Sequence, residues 1–286
     1  SMAILMTNLV LTIILFRLLI FGAGPIPAMG GIGTGYAITI AGWVSFLLFV
    51  AVLTFMEPFR SYGLWRRLRP FSWYHAYHQL ELGIPIFIAV FCETSLFSIV
   101  SLLMAEFGTL YLAANQAAIS FTTLTYTIPW SISLAATIVI GYEVGAKNYH
   151  GARQYAVLCQ ITALIIAVGV TLFTYVFVDD ISAIFTTDAE TFRVLRTFLL
   201  CAVAFAFCDA MGTPVQGILR GYKDVRIITY IAFITYWFIS IPMGYAMAHL
   251  TPYGPFGYWL SLIISLAINA AALNWRLWKQ TAWRFS

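Results

Sequence analysis

Charge is scarce in this sequence. Only 9% of its 286 residues are Asp, Glu, Lys or Arg, where soluble domains carry about 25%. A water-soluble globular fold is therefore excluded, and so is a disordered chain, which needs low hydrophobicity and high net charge. Cysteine is scarce as well. Cys92, Cys159, Cys201 and Cys208 all lie in apolar stretches and lack the spacing of a metal, redox or disulfide framework. The first apolar run has no basic n-region and no small-residue cleavage site, so it reads as a membrane span and not as a signal peptide. Short strands of alternating hydrophobicity are missing too, which argues against a membrane β-barrel. What abounds is apolar: 62% of the residues are hydrophobic and 17% aromatic. At about 20 residues per crossing, roughly eight spans fill the length. The class is all-α, a polytopic transmembrane helical bundle.

Eight apolar segments can be drawn, over 3–22, 34–56, 82–105, 110–140, 155–178, 194–219, 227–249 and 255–278. If they alternate in direction, the clusters Arg60/Arg66/Arg67/Arg69, Lys147/Arg153, Arg220/Lys223/Arg226 and Arg276/Lys279/Arg284 fall on one side. The other side carries Glu106, Asp179, Asp180, Asp188 and Glu190, with Arg193 and Arg196 nearby. By the positive-inside rule both ends are cytoplasmic. The net charge of +4 thus sets orientation and does not point to nucleic acid. Trp73, Tyr74, Tyr77, Trp275, Trp278 and Trp283 fit an inner aromatic belt, and Tyr253, Tyr258 and Trp259 an outer one. The longest hydrophilic stretch divides the chain into 1–57 with two spans, a linker over 58–81, and 82–286 with six spans. Gly35-Tyr36 and Gly257-Tyr258, each after a Pro-containing loop, form a weak internal echo across that division.

Two carboxylates lie deep in spans. Glu93 is about 16 Å from the cytoplasmic start of its segment and Asp209 about 15 Å from the cytoplasmic end of its own, at 1.5 Å per residue. In a hydrocarbon core about 30 Å thick, both reach the midplane. Acids at that depth are costly and usually functional; the plain alternative is a quietly packed pair of protonated or hydrogen-bonded acids. Leaving water favours a carboxylic acid's proton-holding form, and a sodium ion nearby favours the charged form. Two such groups at one level can exchange a proton or sodium for a cationic solute. Glu93 and Asp209 are therefore the candidate coupling residues, and the candidate sodium ligands if sodium is the coupling ion.

Other polar residues are less specific. Gln116, Ser120 and Thr123 in the hydroxyl-rich fourth span are candidates to line a cavity, though hydroxyls in lipid helices equally bond their own backbone. Pro129 is expected to bend that span. Arg17 reads as a snorkelling side chain. His75 and His78 lack a third ligand and read as part of an interfacial amphipathic segment. RGYKDVR reads by charge as a solvated turn that sets topology.

Three stretches carry a resemblance: GILRGYKDVR (217–226), ELGIPIFIAVFCETSLF (81–97) and AANQAAISFTTLTYTIPWSISLAATIVIGYEVGA (113–146). From about residue 24 onward the sequence resembles the multidrug and toxic-compound extrusion (MATE) family, NorM-type branch. The resemblance implies helices five to twelve of a twelve-helix, two-lobe fold: the last two helices of the first lobe and all six of the second. It implies that Glu93 and Asp209 take the family's acidic positions in its seventh and tenth helices, bind the coupling cation and drive export of organic cation drugs from the bacterial inner membrane. It further implies that a four-helix N-terminal segment is missing. Phe205 stands one turn before Asp209, where the family often has Tyr. It offers a ring face to a cation but no hydroxyl.

The expected function is thus a secondary multidrug exporter exchanging organic cations for protons or sodium, with lipid around it, no enzymatic activity and no cofactor. The rival readings are a truncated, transport-incompetent MATE fragment, and a lipid-linked sugar flippase of the same superfamily, which needs a larger and more cationic cavity. An intramembrane aspartyl protease is disfavoured, because FCDAMG and FCETSL supply one Asp and one Glu and no GxGD motif.

Overall fold

The computed structural model describes residues 2–22, 27–57 and 72–283, with the side chains of 281–283 excepted. All eight predicted spans are helices long and apolar enough to cross a membrane. They are built from α1 (Met2–Phe21), α2 (Gly30–Phe55), α3 (Trp73–Met104), α4 (Thr109–Gly145), α5 (Tyr149–Val176), α7 (Ala189–Gly221), a seventh span from α8 (Val225–Phe233) through α9 (Ile241–Leu250), and α10 (Phe256–Trp283). A short α6 (Val178–Phe185), not anticipated, precedes α7. Its Asp179 accepts from Arg196 Nε of α7 at 2.6 Å. Within the seventh span, Ile234–Ser240 winds as a π-helix.

The helices outrun the apolar segments. The stretch read as a linker over 58–81 is helical from Trp73 onward, because WYHAYHQLEL carries no Gly or Pro and His78 pairs with Glu81 at 3.6 Å one turn on. Residues 58–71 lie outside those described. The chain divides into two compact units, 1–73 and 74–286.

The first unit is the α1–α2 hairpin. Its close point is Gly33, where a Cβ would sit 2.5 Å from the Leu19 carbonyl oxygen. Gly35, half of the supposed echo, has nothing within 4 Å, and its neighbour Tyr36 is exposed while Tyr258 is buried.

In the second unit α7 is the hub, packed against α4, α5, α6 and α10. Small residues make the approach possible. At Gly217 a Cβ would lie 2.1 Å from the Ser133 carbonyl oxygen of α4. The Thr137 hydroxyl sits there between the carbonyls of Ser133 (2.9 Å) and Gly217 (3.0 Å). Helix α3 buries Ala89, Cys92, Leu96, Val100 and Met104 in the common core, and polar links to the seventh span add to that packing. Arg226 pairs with Glu81 at 2.6 Å, the Thr229 hydroxyl lies 2.7 Å from the Pro85 carbonyl, and His249 Nε2 stands 3.7 Å from Glu106 Oε2.

Two expectations fail locally. Tyr258 and Trp259, assigned to an outer belt, are each 1% exposed. Trp259 packs on Phe198 and Phe205 and donates its indole N–H to Asn115 Oδ1 at 3.1 Å. The RGYKDVR turn is engaged rather than solvated. Asp224 accepts from Arg276 at 2.8 Å, Tyr222 is buried, and Arg220 lies 5.4 Å over the Trp130 ring. The same turn recurs after α4: Gly-Ala-Lys-Asn (145–148) and Gly-Tyr-Lys-Asp (221–224) both place the lysine at positive φ, 59° and 64°. Matching backbone bonds close them, Asn148 N–H to Glu143 O and Asp224 N–H to Leu219 O.

Candidate functional site

Glu93 on α3 and Asp209 on α7 open onto one cavity of about 190 Å³. Phe97, Ile119, Thr123, Tyr126 and Phe205 also line it. Each acid is held by one hydroxyl. The Tyr126 phenol of α4 donates to Glu93 Oε1 at 3.2 Å, and the Thr213 hydroxyl, one turn along α7, donates to Asp209 Oδ1 at 2.8 Å. Asp209 is 4% exposed and Thr213 1%, whereas Glu93 is half-buried. Asp209 also borders a second, smaller void of about 20 Å³ between α4, α5 and α7, which Pro129 helps to line.

Of the residues singled out in the sequence, Glu93, Thr123, Phe205 and Asp209 share the cavity wall. Gln116 and Ser120 do not. Both are exposed on the face of α4 that Thr123 shares, and the Ser120 hydroxyl bonds back to the Gln116 carbonyl at 2.8 Å, as the Thr123 hydroxyl does to the Ile119 carbonyl at 2.8 Å. That is the self-bonding geometry hydroxyls adopt in apolar helices. Phe205 contacts the Phe97 ring at 5.8 Å, so the wall between the acids is aromatic. Arg17 is exposed on α1.

Sequence reading passed over three residues near the acids. Tyr126 lay inside a quoted motif and stands near the middle of α4, the level that depth arithmetic gave Glu93. Trp130, one turn further, contacts the Tyr126 ring at 5.8 Å and carries Arg220 on its own face. Arg220 hydrogen-bonds Gln216 at 3.3 Å and lies close enough for its charge to reach Glu93. The signal available was an arginine just inside the end of a span, which needs a partner or a ring face. Among the described residues, no three His, Cys, Asp or Glu gather as a metal cluster. A bound sodium ion would therefore draw on the two carboxylates with hydroxyl oxygens such as those of Tyr126 and Thr123.

A model of the MatE family matches residues 85–246, more than half of the chain and all of the acid-bearing region. The chain belongs to that family. Similar MatE-family proteins include the probable multidrug resistance protein NorM of Oceanobacillus iheyensis, 40% identical over 277 residues, which cover 97% of this chain and 62% of the relative. That of Bacillus cereus is 42% identical over 279 residues, covering 98% and 62%. The chain thus spans somewhat over three fifths of these relatives and corresponds to a C-terminal portion of a MATE protein. Matches of this extent reach into α1, further than the resemblance from about residue 24. The fold is that of solved MATE transporters. A eukaryotic one, AtDTX14, superposes with a TM-score of 0.87 at 20% identity, over 99% of this chain and 63% of that one. An outward-facing MATE transporter of the MOP superfamily does so at 0.85 and 18%, over 100% and 63%.

Proposed function

We propose that this chain forms the cation-coupling part of a secondary exporter that exchanges organic cations for protons or sodium. It sits in a bacterial inner membrane with both ends cytoplasmic. One observation carries the reading: two carboxylates from different spans line the same aromatic-walled cavity. A charged carboxylate attracts a cation, and the faces of Phe97, Phe205 and Tyr126 add ring attraction for an organic one. A proton neutralises the acid, and sodium occupies the same oxygens. Either one therefore competes with the drug for a single negative site. Coupling follows when the two occupants favour different conformations, because a ligand shifts an equilibrium only through unequal affinity for its states. Tyr126 and Thr213 hold the acids in place between occupants.

Substituting Glu93→Gln or Asp209→Asn in a cell whose drug resistance depends on the transporter is expected to abolish resistance with membrane abundance unchanged. Unaltered resistance in both variants would falsify the coupling role. A second reading is that this chain binds the coupling cation and exports nothing without further helices. It is favoured by its span of about 62% of its curated relatives. Drug accumulation in cells making this chain alone separates the two.

A further inference from the structure

The acids at the cavity have a neighbour behind the wall. Tyr236 of the seventh span is 2% exposed and packs in the same core as Cys92, Phe205 and Trp259. Its hydroxyl is buried and has no hydrogen-bond partner among the described residues. Such a hydroxyl is expensive, and buried polar groups in folded proteins are nearly always paired. Its electrostatic neighbours are Glu93 and Cys92 of α3, Tyr126 of α4 and Asp209 of α7. The phenol bonds neither coupling acid, yet it shares a core with Cys92, next to Glu93, and with Phe205, one turn from Asp209.

The backbone at this point is equally unusual. Tyr236 belongs to the π-helical segment Ile234–Ser240, a geometry that is rare and concentrated at functional sites. The segment is pinned from one side, where Asn269 Nδ2 of α10 donates to the Thr235 hydroxyl at 3.0 Å. The Ser240 hydroxyl and the other amide atom of Asn269, Oδ1, are likewise buried without partners. Three unmet hydrogen-bonding atoms, those of Tyr236, Ser240 and Asn269, thus lie on this segment and the α10 residue facing it, while others are scattered over α2, α4 and α5.

We propose that Tyr236 is the reserve hydrogen-bond donor of the Glu93–Asp209 pair, idle in the present state and donating to the pair when both acids are charged. In this state Tyr126 serves Glu93 and Thr213 serves Asp209. When a proton or sodium leaves, the second negative charge in an apolar core needs another donor. The π segment is where the span departs from regular α geometry, so it is the place where the phenol shifts toward the pair. Tyr236 does not line the cavity, so it acts through the acids and not on the drug.

The inference rests on the reading of Glu93 and Asp209 as the coupling pair, and one experiment tests both. The chain, reconstituted in lipid vesicles, is followed by infrared difference spectroscopy as the pH is stepped or NaCl is added. A tyrosine C–O band should change from free to hydrogen-bonded as the acids become charged. Tyr236→Phe should remove that band and change the apparent ion affinity by roughly tenfold, the worth of one hydrogen bond to a charged group. Its melting temperature should stay the same or rise, since the deleted hydroxyl is unpaired in this state. A band that persists in Tyr236→Phe, or an ion response equal to the parent's, overturns the reserve donor while leaving the coupling pair intact. An ion response that also survives Glu93→Gln and Asp209→Asn overturns both.

Discussion

The α1–α2 hairpin and the α3–α10 bundle run hydropathy and burial in opposite directions. The hairpin helices have mean hydropathies of 2.4 and 2.3, yet 6% of each is buried within the chain. Helix α10, at 1.7, is 56% buried, and α7, at 1.9, is 39% buried. In water this would be paradoxical. In lipid it is the expected order, because acyl chains are as apolar as leucine and give apolar side chains no reason to seek each other. What draws membrane helices together is small residues, which allow close approach, and polar groups, which need partners. Helices α4, α7 and α10 have both. The hairpin is also rich in small residues, but Gly33 alone of the glycines in α2 meets a partner helix here, and the remaining surface belongs against lipid or other helices.

Glycine substitutions break this contrast most directly. Gly217→Val should prevent recovery of folded protein, because a Cβ there already meets the Ser133 backbone at 2.1 Å. Gly42→Val in α2, with nothing within 4 Å, should leave the yield of monodisperse protein in detergent unchanged. Asn115→Leu comes next. It orphans the buried Trp259 indole N–H and removes the Asn115–Ser101 link from α4 to α3, and should cost about 1–3 kcal/mol by thermal or denaturant unfolding. Replacing Trp259 with Phe in that background should recover part of the loss. Lys147→Gly and Lys223→Gly sharpen the picture in the other direction. Each relieves a positive φ on a residue with a side chain and should raise stability by up to about 1 kcal/mol.

The smallest effect is at the α7 N-terminus. Asp188 caps it, accepting from the Thr191 N–H at 2.9 Å and its hydroxyl at 2.7 Å, and these bonds hold its carboxyl below the ordinary range. A depressed acid stabilises above its unfolded-state pKa and loses that contribution as pH falls through its folded value. The protection of the Thr191 amide relative to its intrinsic exchange rate should therefore fall in acid, and Asp188→Ala should lower that protection at neutral pH too.

The number of spans and the depth of the two acids were legible because lipid imposes both: a crossing needs about 20 apolar residues, and a carboxylate within one stands out. The residues that serve the acids were not. Tyr126 and Tyr236 look like any membrane tyrosine until the helices are assembled. Tyr258 and Trp259 follow a Pro-Gly loop as interfacial aromatics do, and only the Asn115 amide and the Phe198 ring explain their burial. Gln116, Ser120 and Thr123 recur at i, i+4 and i+7 and share one face of α4, and of the three Thr123 alone borders the cavity that Glu93 and Asp209 share. Gly35 drew notice through its Gly-Tyr pairing, while the glycine that matters for the hairpin is Gly33, whose only mark is the helix packed against it.

Helix α3 and the seventh span are fastened together near both ends. Arg226 and Thr229 grip Glu81 and Pro85 at one end, and His249 faces Glu106 at the other. Those contacts bracket the π-helical segment Ile234–Ser240, which lies between them on the seventh span alone. A π turn holds more residues than an α turn, so between the two shared points the seventh span packs more chain into the same height than a straight α-helix would.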